Sequence, residues 1–243
     1  MARTTTEHVD TSSQLSREEA ERQAAAEMEK LFERVPKARA FHDGTFMERE
    51  YYARHLLETI VRIRLNNEVD TYCLHRISIG QNKLAATLAT YLAEEFGHDD
   101  MFLADLRRFG ISAPEVERAR PFHSTELLIG YMYYAIDHEG PLATMVWNWF
   151  VEWYSDRYNL VITRSAAKRF GEEMVRGSMR HIGVDDNEDH VGLMFKTIEQ
   201  AMHSSEDGER AKRYLTHFVR LVGDYFQELH VYAEQRTPAP VTA

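Results

Sequence analysis

Hydrophobic positions recur every three to four residues along most of this chain, the period of helices that bury one face. Phe46, Tyr51, Leu57, Ile60, Ile63 and Leu65 form one such stripe. Leu84, Leu88, Tyr91, Leu92, Leu103 and Leu106 form another. Caps and breakers set the expected bounds. Ser16 opens a charged helix to about Arg34, the two stripes span about Thr45–Cys73 and Gln81–Phe109, and Ser124 opens a helix to about His138. Pro141 stands where a first turn tolerates proline, and its helix is expected to reach about Tyr158. Thr163 is expected to cap a helix containing Phe170, Met174 and Met179, followed by helices over about Asp185–Met202 and Gly208–Gln235. The sequence shows neither an alternating strand pattern nor an internal repeat. The pattern predicts one all-α bundle of about seven to eight helices over 16–236, mostly antiparallel neighbours on short connections. The polar ends, 1–15 and 237–243, lack the period and read as a disordered N-terminal tail and a flexible C-terminal one.

Composition narrows the function classes. With 243 residues, 44% hydrophobic and 28% charged, the chain has the balance of one well-packed soluble domain. A net charge of -10 without a basic stripe argues against nucleic acid as a partner. Charge interrupts every apolar run, which argues against a membrane span. The N-terminal stretch has no apolar signal-peptide core, and Cys73 is the single cysteine, so an internal disulfide is excluded. A cytoplasmic location is expected.

Three places set ionisable groups inside segments that otherwise read as buried. In the first, Glu94 and Glu95 lie four and three residues before His98, so either pair projects from one helical face and can hold a metal ion jointly. In the second, Glu152 stands among Trp147, Trp149, Phe150, Trp153 and Tyr154 with no cationic neighbour one turn away. A carboxylate there is costly to bury unless a cation pairs with it. In the third, His181 precedes Asp185, Asp186, Glu188, Asp189 and His190, a density of acid that needs solvent or a cation. Each place alone also reads as a solvated acidic helix face, or as an N-cap at Asp185 or Asp186. Together they offer carboxylates and imidazoles from three helices, the ligand types that suit two irons, whereas zinc in a hydrolase needs three ligands and a water.

At these residues the chain resembles the haem-oxygenase-like di-iron oxidases, which share a scaffold with haem oxygenase and the thiaminase-II-type proteins. The resemblance covers roughly Tyr51 to Tyr232. It carries metal-binding roles over to Glu95 and His98, and to Glu152 in the aromatic helix after Gly140-Pro141. The third family pattern, His-x-x-x-Asp-x-x-His, fits His181 and Asp185 but meets Glu188 where a second histidine is expected, with His190 two residues later. The implied metal set is Glu95, His98, Glu152, His181, Asp185 and His190, with Glu94, Asp186, Glu188 and Asp189 as alternatives. Glu95, His98 and Glu152 would act catalytically through the metal. The implied cofactors are two Fe(II) ions and O₂. Haem would leave the carboxylates unexplained, although His42 or His55 would be its axial candidates.

The resemblance further implies oxidation of a small carboxylate, an amino acid or derivative in specialised biosynthesis, by C–C cleavage, desaturation or N-oxidation. A small-molecule substrate, an electron donor and a homodimer follow as expected partners. Candidate substrate contacts are Arg176, Arg180, Tyr134, Trp149 and Trp153, with Arg62 a third arginine that could grip an acid and Phe150 and Phe195 as aromatic lining. Tyr91, Asp99 and Trp149 are candidates to orient the metal ligands. The competing readings are a fatty-acid decarboxylase of the same superfamily, a metal-free thiaminase-II-like hydrolase using Cys73, and a non-catalytic helical interaction module.

Overall fold

The computed structural model describes residues 15–77, 80–185 and 189–236, except for the side chains of residues 184 and 185. Local chemistry sets the helix ends. Ser16 Oγ accepts from Glu19 N at 3.2 Å and starts α1 (Arg17–Arg34), and Pro36 occupies the first turn of α2 (Pro36–His42). The chain continues through α3 (Arg49–Arg76), α4 (Asn82–Glu95), α5 (His98–Arg108), α6 (Ala113–Glu117) and α7 (His123–Glu139). It ends with α8 (Leu142–Tyr154), α9 (Leu160–Phe170), α10 (Arg176–Asp185), α11 (His190–Ala201) and α12 (Ser205–Glu234). No strand occurs among the described residues, as the apolar spacing predicts.

The core forms around α8, where every residue from Leu142 to Phe150 is buried. Helices α3, α7, α11 and α12 pack around it. The 30-residue α12 buries Tyr214, Leu215, Phe218, Val222, Phe226 and Leu229 on one face, the stripe expected of a long bundle helix.

The described residues form twelve α-helical segments where seven to eight helices were expected. The expected Gln81–Phe109 helix breaks at Gly97, whose φ of +95° ends the helical path and lets a second helix start at His98. The short α2 and α6 carry too few turns to show a periodic stripe. Beyond Tyr154 the chain does not stop: a π-helical turn over Ser155–Asn159 carries it into α9. Thr163 therefore lies buried within a helix rather than capping one. Gly171, at φ +105°, then separates Phe170 from Met174 and Met179, and a 3₁₀ turn leads into α10.

Several boundaries move by a few residues, including α3, which begins at Arg49 rather than Thr45. Helix α11 begins at His190, not Asp185. Leu15, placed at sequence level in the N-terminal tail, is buried in the core. Residues 1–14 and 237–243, the rest of the expected tails, lie outside the described residues.

Candidate metal centre

The break at Gly97 decides how the first pair of ligands meets. Glu95 ends α4 and His98 begins α5, so the two face each other across a turn instead of along one helix. Glu95 Oε2 lies 3.3 Å from His98 Nδ1. Glu152 projects from α8, and His190 is the first residue of α11, which packs on α8 and α4. One donor atom each from Glu95, Glu152 and His190 lie within 4.8 Å of one another. His190 Nδ1 is 3.6 Å from Glu152 Oε2, and its Nε2 is 3.5 Å from Glu94 Oε2. His181, on α10, sets its ring 4.7 Å from that of His98 at 71° and rests on Phe102.

The structure thus gathers five of the sequence-level metal candidates, Glu95, His98, Glu152, His181 and His190, with Glu94 at their edge. Asp189 does not join them. It is exposed and caps α11, accepting from Gly192 N at 2.8 Å. The Asp185 side chain, Asp186 and Glu188 lie outside the described residues.

Buried polar groups support this cluster. Tyr91 O–H donates to Glu152 Oε1 at 2.8 Å. Burial, reinforced by the charges of Glu152, Glu95 and Asp70, pushes its phenol well above the usual range, so it stays a donor. Asp70 on α3 is fully buried and accepts from Asn148 Nδ2 at 2.9 Å and from Asn66 Nδ2 at 3.3 Å. Trp147 Nε1 closes this network on Asn66 Oδ1 at 2.7 Å. Burial pushes the Asp70 carboxyl up to about 8; the amide of Asn148 opposes the rise and the charge of Glu95 adds to it. Asn66 and Asp70 were not singled out from sequence, although their four-residue spacing places them on one face of α3.

Helix α10 owes its seat to a different carboxylate. Asp105, fully buried on α5, accepts from Gly177 N at 2.7 Å, Ser178 N at 2.7 Å and Ser178 Oγ at 2.8 Å. A negative group at the first turn satisfies amides that a helix start leaves open. His181, one turn later, is thereby held against His98 and Phe102.

A cavity of about 140 Å³ adjoins the cluster, with Glu95, Glu152, His181, Tyr91 and Phe102 on its wall. Of the expected substrate contacts, it receives Phe150 and Arg62. Arg176 and Arg180, one turn apart, are exposed on the solvent face of α10, away from buried Gly177 and Ser178, with Arg176 paired to Glu173 at 2.7 Å. Tyr134 is 55% exposed on α7, beside His138. Trp149, Trp153 and Phe195 pack against one another in the core instead of lining the cavity. Asp99, expected to orient a ligand, accepts from Arg64 Nε at 2.7 Å.

Cys73 is buried and off the cavity wall, and burial with the nearby Asp70 charge pushes its thiol up to about 12. Of the two haem candidates, His55 lies on the cavity wall and His42 does not, and each is hydrogen-bonded within the fold. His42 bridges Ala38 O and Tyr154 Oη, each at 2.6 Å, and His55 Nδ1 meets Tyr225 Oη at 2.6 Å.

Searched against known proteins, the chain matches no family profile and no curated protein in sequence. Solved structures do match. A domain of unknown function with a haem-oxygenase-like fold from Shewanella denitrificans superposes with a TM-score of 0.77 at 17% identity, over 93% of this chain and 97% of that one. A TenA homologue from Pseudomonas syringae gives 0.71 at 12% identity, over 88% and 92%. A TenA homologue from Pyrococcus furiosus gives 0.60 at 11% identity, over 86% and 99%. The chain has the haem-oxygenase-like fold. Among its described residues, no helix is long and apolar enough to cross a membrane.

Proposed function

We propose, taking the haem-oxygenase-like fold as premise, that this chain is a non-haem di-iron oxidase or oxygenase acting on a small carboxylate substrate. The chemistry expected is C–C cleavage, desaturation or N-oxidation. The observation that carries the reading is the convergence of Glu95, Glu152 and His190 donor atoms within 4.8 Å at a cavity wall, with His98 and His181 adjoining. The donor set fits the group. Carboxylates mixed with imidazoles suit first-row metals such as iron. Among the described residues, the ion-pair partners of Glu94, Glu95 and Glu152 are imidazoles, not lysine or arginine.

In this reading Glu95, His98, Glu152, His181 and His190 hold two Fe(II) ions, which supply electrons and open positions for O₂. Tyr91 holds Glu152 in one orientation through its hydrogen bond. Asp105 fixes the helix that presents His181. The apolar wall around Phe150 and Phe102 limits water beside the reacting groups. The small-molecule substrate and the electron donor belong to the same proposal.

A metal-free hydrolase of the same fold needs a reactive nucleophile facing the cavity, and the position of Cys73 does not favour it. Anaerobic loading with Fe(II) followed by exposure to O₂ separates the two readings. The oxidase should consume O₂ with a transient visible absorption band, and Cys73→Ala should leave that signal intact. Absence of both O₂ uptake and the band would sink the proposal.

A further inference from the structure

The cavity is drawn out along α3. Its wall takes Tyr52, Leu56, Thr59, Arg62, Ile63 and Asn66 from that helix, successive turns of one face. From Tyr52 to Asn67, the last wall residue on α3, the helix rises by roughly 22 Å. Most of the remaining wall is apolar, with Phe150, Val151, Ile162, Val222 and Phe226 prominent.

Within this wall the charges are few. Among the described residues, Arg62 is the one lysine or arginine lining the cavity, and no carboxylate lies within ion-pair distance of it. Its guanidinium rests on the Tyr225 ring of α12, 4.3 Å from the centroid, which fixes its orientation and leaves its edge for another group. The acidic side chains on the wall are Glu95 and Glu152, from α4 and α8, both already assigned to the metal. The neighbouring tyrosine does not compete as a donor. His42 Nδ1–H must donate to Ala38 O, so its Nε2 accepts the proton of Tyr154, whose hydroxyl hydrogen is thereby committed.

We propose that Arg62 is the specificity-determining residue of this cavity, holding the negative end of an organic acid that has an apolar body and no ammonium beside the acid group. The inference rests on the proposed function for taking the cavity as the substrate chamber, and it narrows the substrate class. An α-amino acid held by Arg62 would set its ammonium next to the Arg62 charge, where no carboxylate lies within ion-pair distance, a repulsion in a partly buried site. An acid with an apolar chain meets both the cation and the apolar wall.

Calorimetric titration of the full chain, as isolated and after chelation of metal, tests this with four probes: octanoate, 1-octanol, octylamine and 2-aminooctanoate. Chelation matters because it removes direct coordination of the acid by metal as an explanation. The expected result is octanoate binding about tenfold or more tighter than 1-octanol and 2-aminooctanoate, with octylamine weakest. Arg62→Gln should erase the preference for octanoate over 1-octanol, and Arg62→Lys should retain part of it. Equal binding of octanoate and 1-octanol by the native chain, or an undiminished preference in a folded Arg62→Gln, overturns the proposal. The native-chain comparison decides the matter even if Arg62→Gln fails to fold. Because the pattern is read after chelation, it survives a failure of the di-iron reading, and its loss would leave iron binding untouched.

Discussion

Gly177 meets α5 so closely that its amide donates to Asp105 Oδ1 at 2.7 Å, while a Cβ added to it would stand 1.9 Å from the Met101 carbonyl oxygen. Helix α10 can dock there only with glycine at that position, and the same contact sets His181 beside His98. Backbone is the obstacle, so the clash cannot be relieved by turning a side chain.

Gly177→Ala should therefore cost about 1–3 kcal/mol in urea unfolding and lower iron content, since relief of the clash moves the helix carrying His181. Asp105→Ala, which strips three hydrogen bonds from a buried helix start, should act in the same direction. A Gly177→Ala protein with native stability and full iron would show that this contact positions nothing.

Tyr91→Phe removes one hydroxyl from a buried wall. The lost hydrogen bond to Glu152 is worth on the order of 1 kcal/mol in stability, but the larger effect should fall on the metal. Groups that orient ligands typically change affinity by about 10–100-fold when removed. An Fe(II) titration of the variant that matches the native chain would contradict this role.

Two buried groups tilt stability with pH in opposite directions, and both are best read after chelation so that metal binding adds no proton linkage. Burial holds His42 down to about 4 from an ordinary 6.5. Between those values the unfolded chain binds the extra proton, so stability falls as pH drops from about 6.5 towards about 4. His42→Phe should flatten that acid limb. Asp70 is raised from 3.8 to about 8, so over that range the native chain holds a proton that the unfolded chain releases. Its contribution to stability accordingly declines as pH rises from about 4 to about 8. Asp70→Asn keeps an acceptor for Asn148 and should remove this decline. Parallel midpoint-against-pH curves for native and Asp70→Asn chains would refute the assignment.

The helical class was legible because each long helix buries a stripe, and residue type pointed to Glu95, His98, Glu152 and His190. The break at Gly97 was not, since a glycine inside an apolar period is also compatible with an unbroken helix. The continuity of α8 with α9 was missed for the opposite reason: no glycine or proline breaks the chain there, but Thr163 read as a helix cap. Arg176 and Arg180 looked as suitable as Arg62 in sequence. Only the solvent face of α10, which carries the first two, and the Tyr225 ring that holds Arg62 at the cavity separate them. Asp70, Asn66 and Asp105 went unnoticed because a buried polar residue is recognised by what it meets across the bundle.

Iron content after anaerobic Fe(II) loading tests the central claim most directly, compared between the native chain and Glu95→Ala, His98→Ala, Glu152→Ala and His190→Ala. The native chain should retain about two irons, and each folded variant should retain measurably less. A native chain that retains no iron, or variants that all retain as much as the native chain, would contradict it.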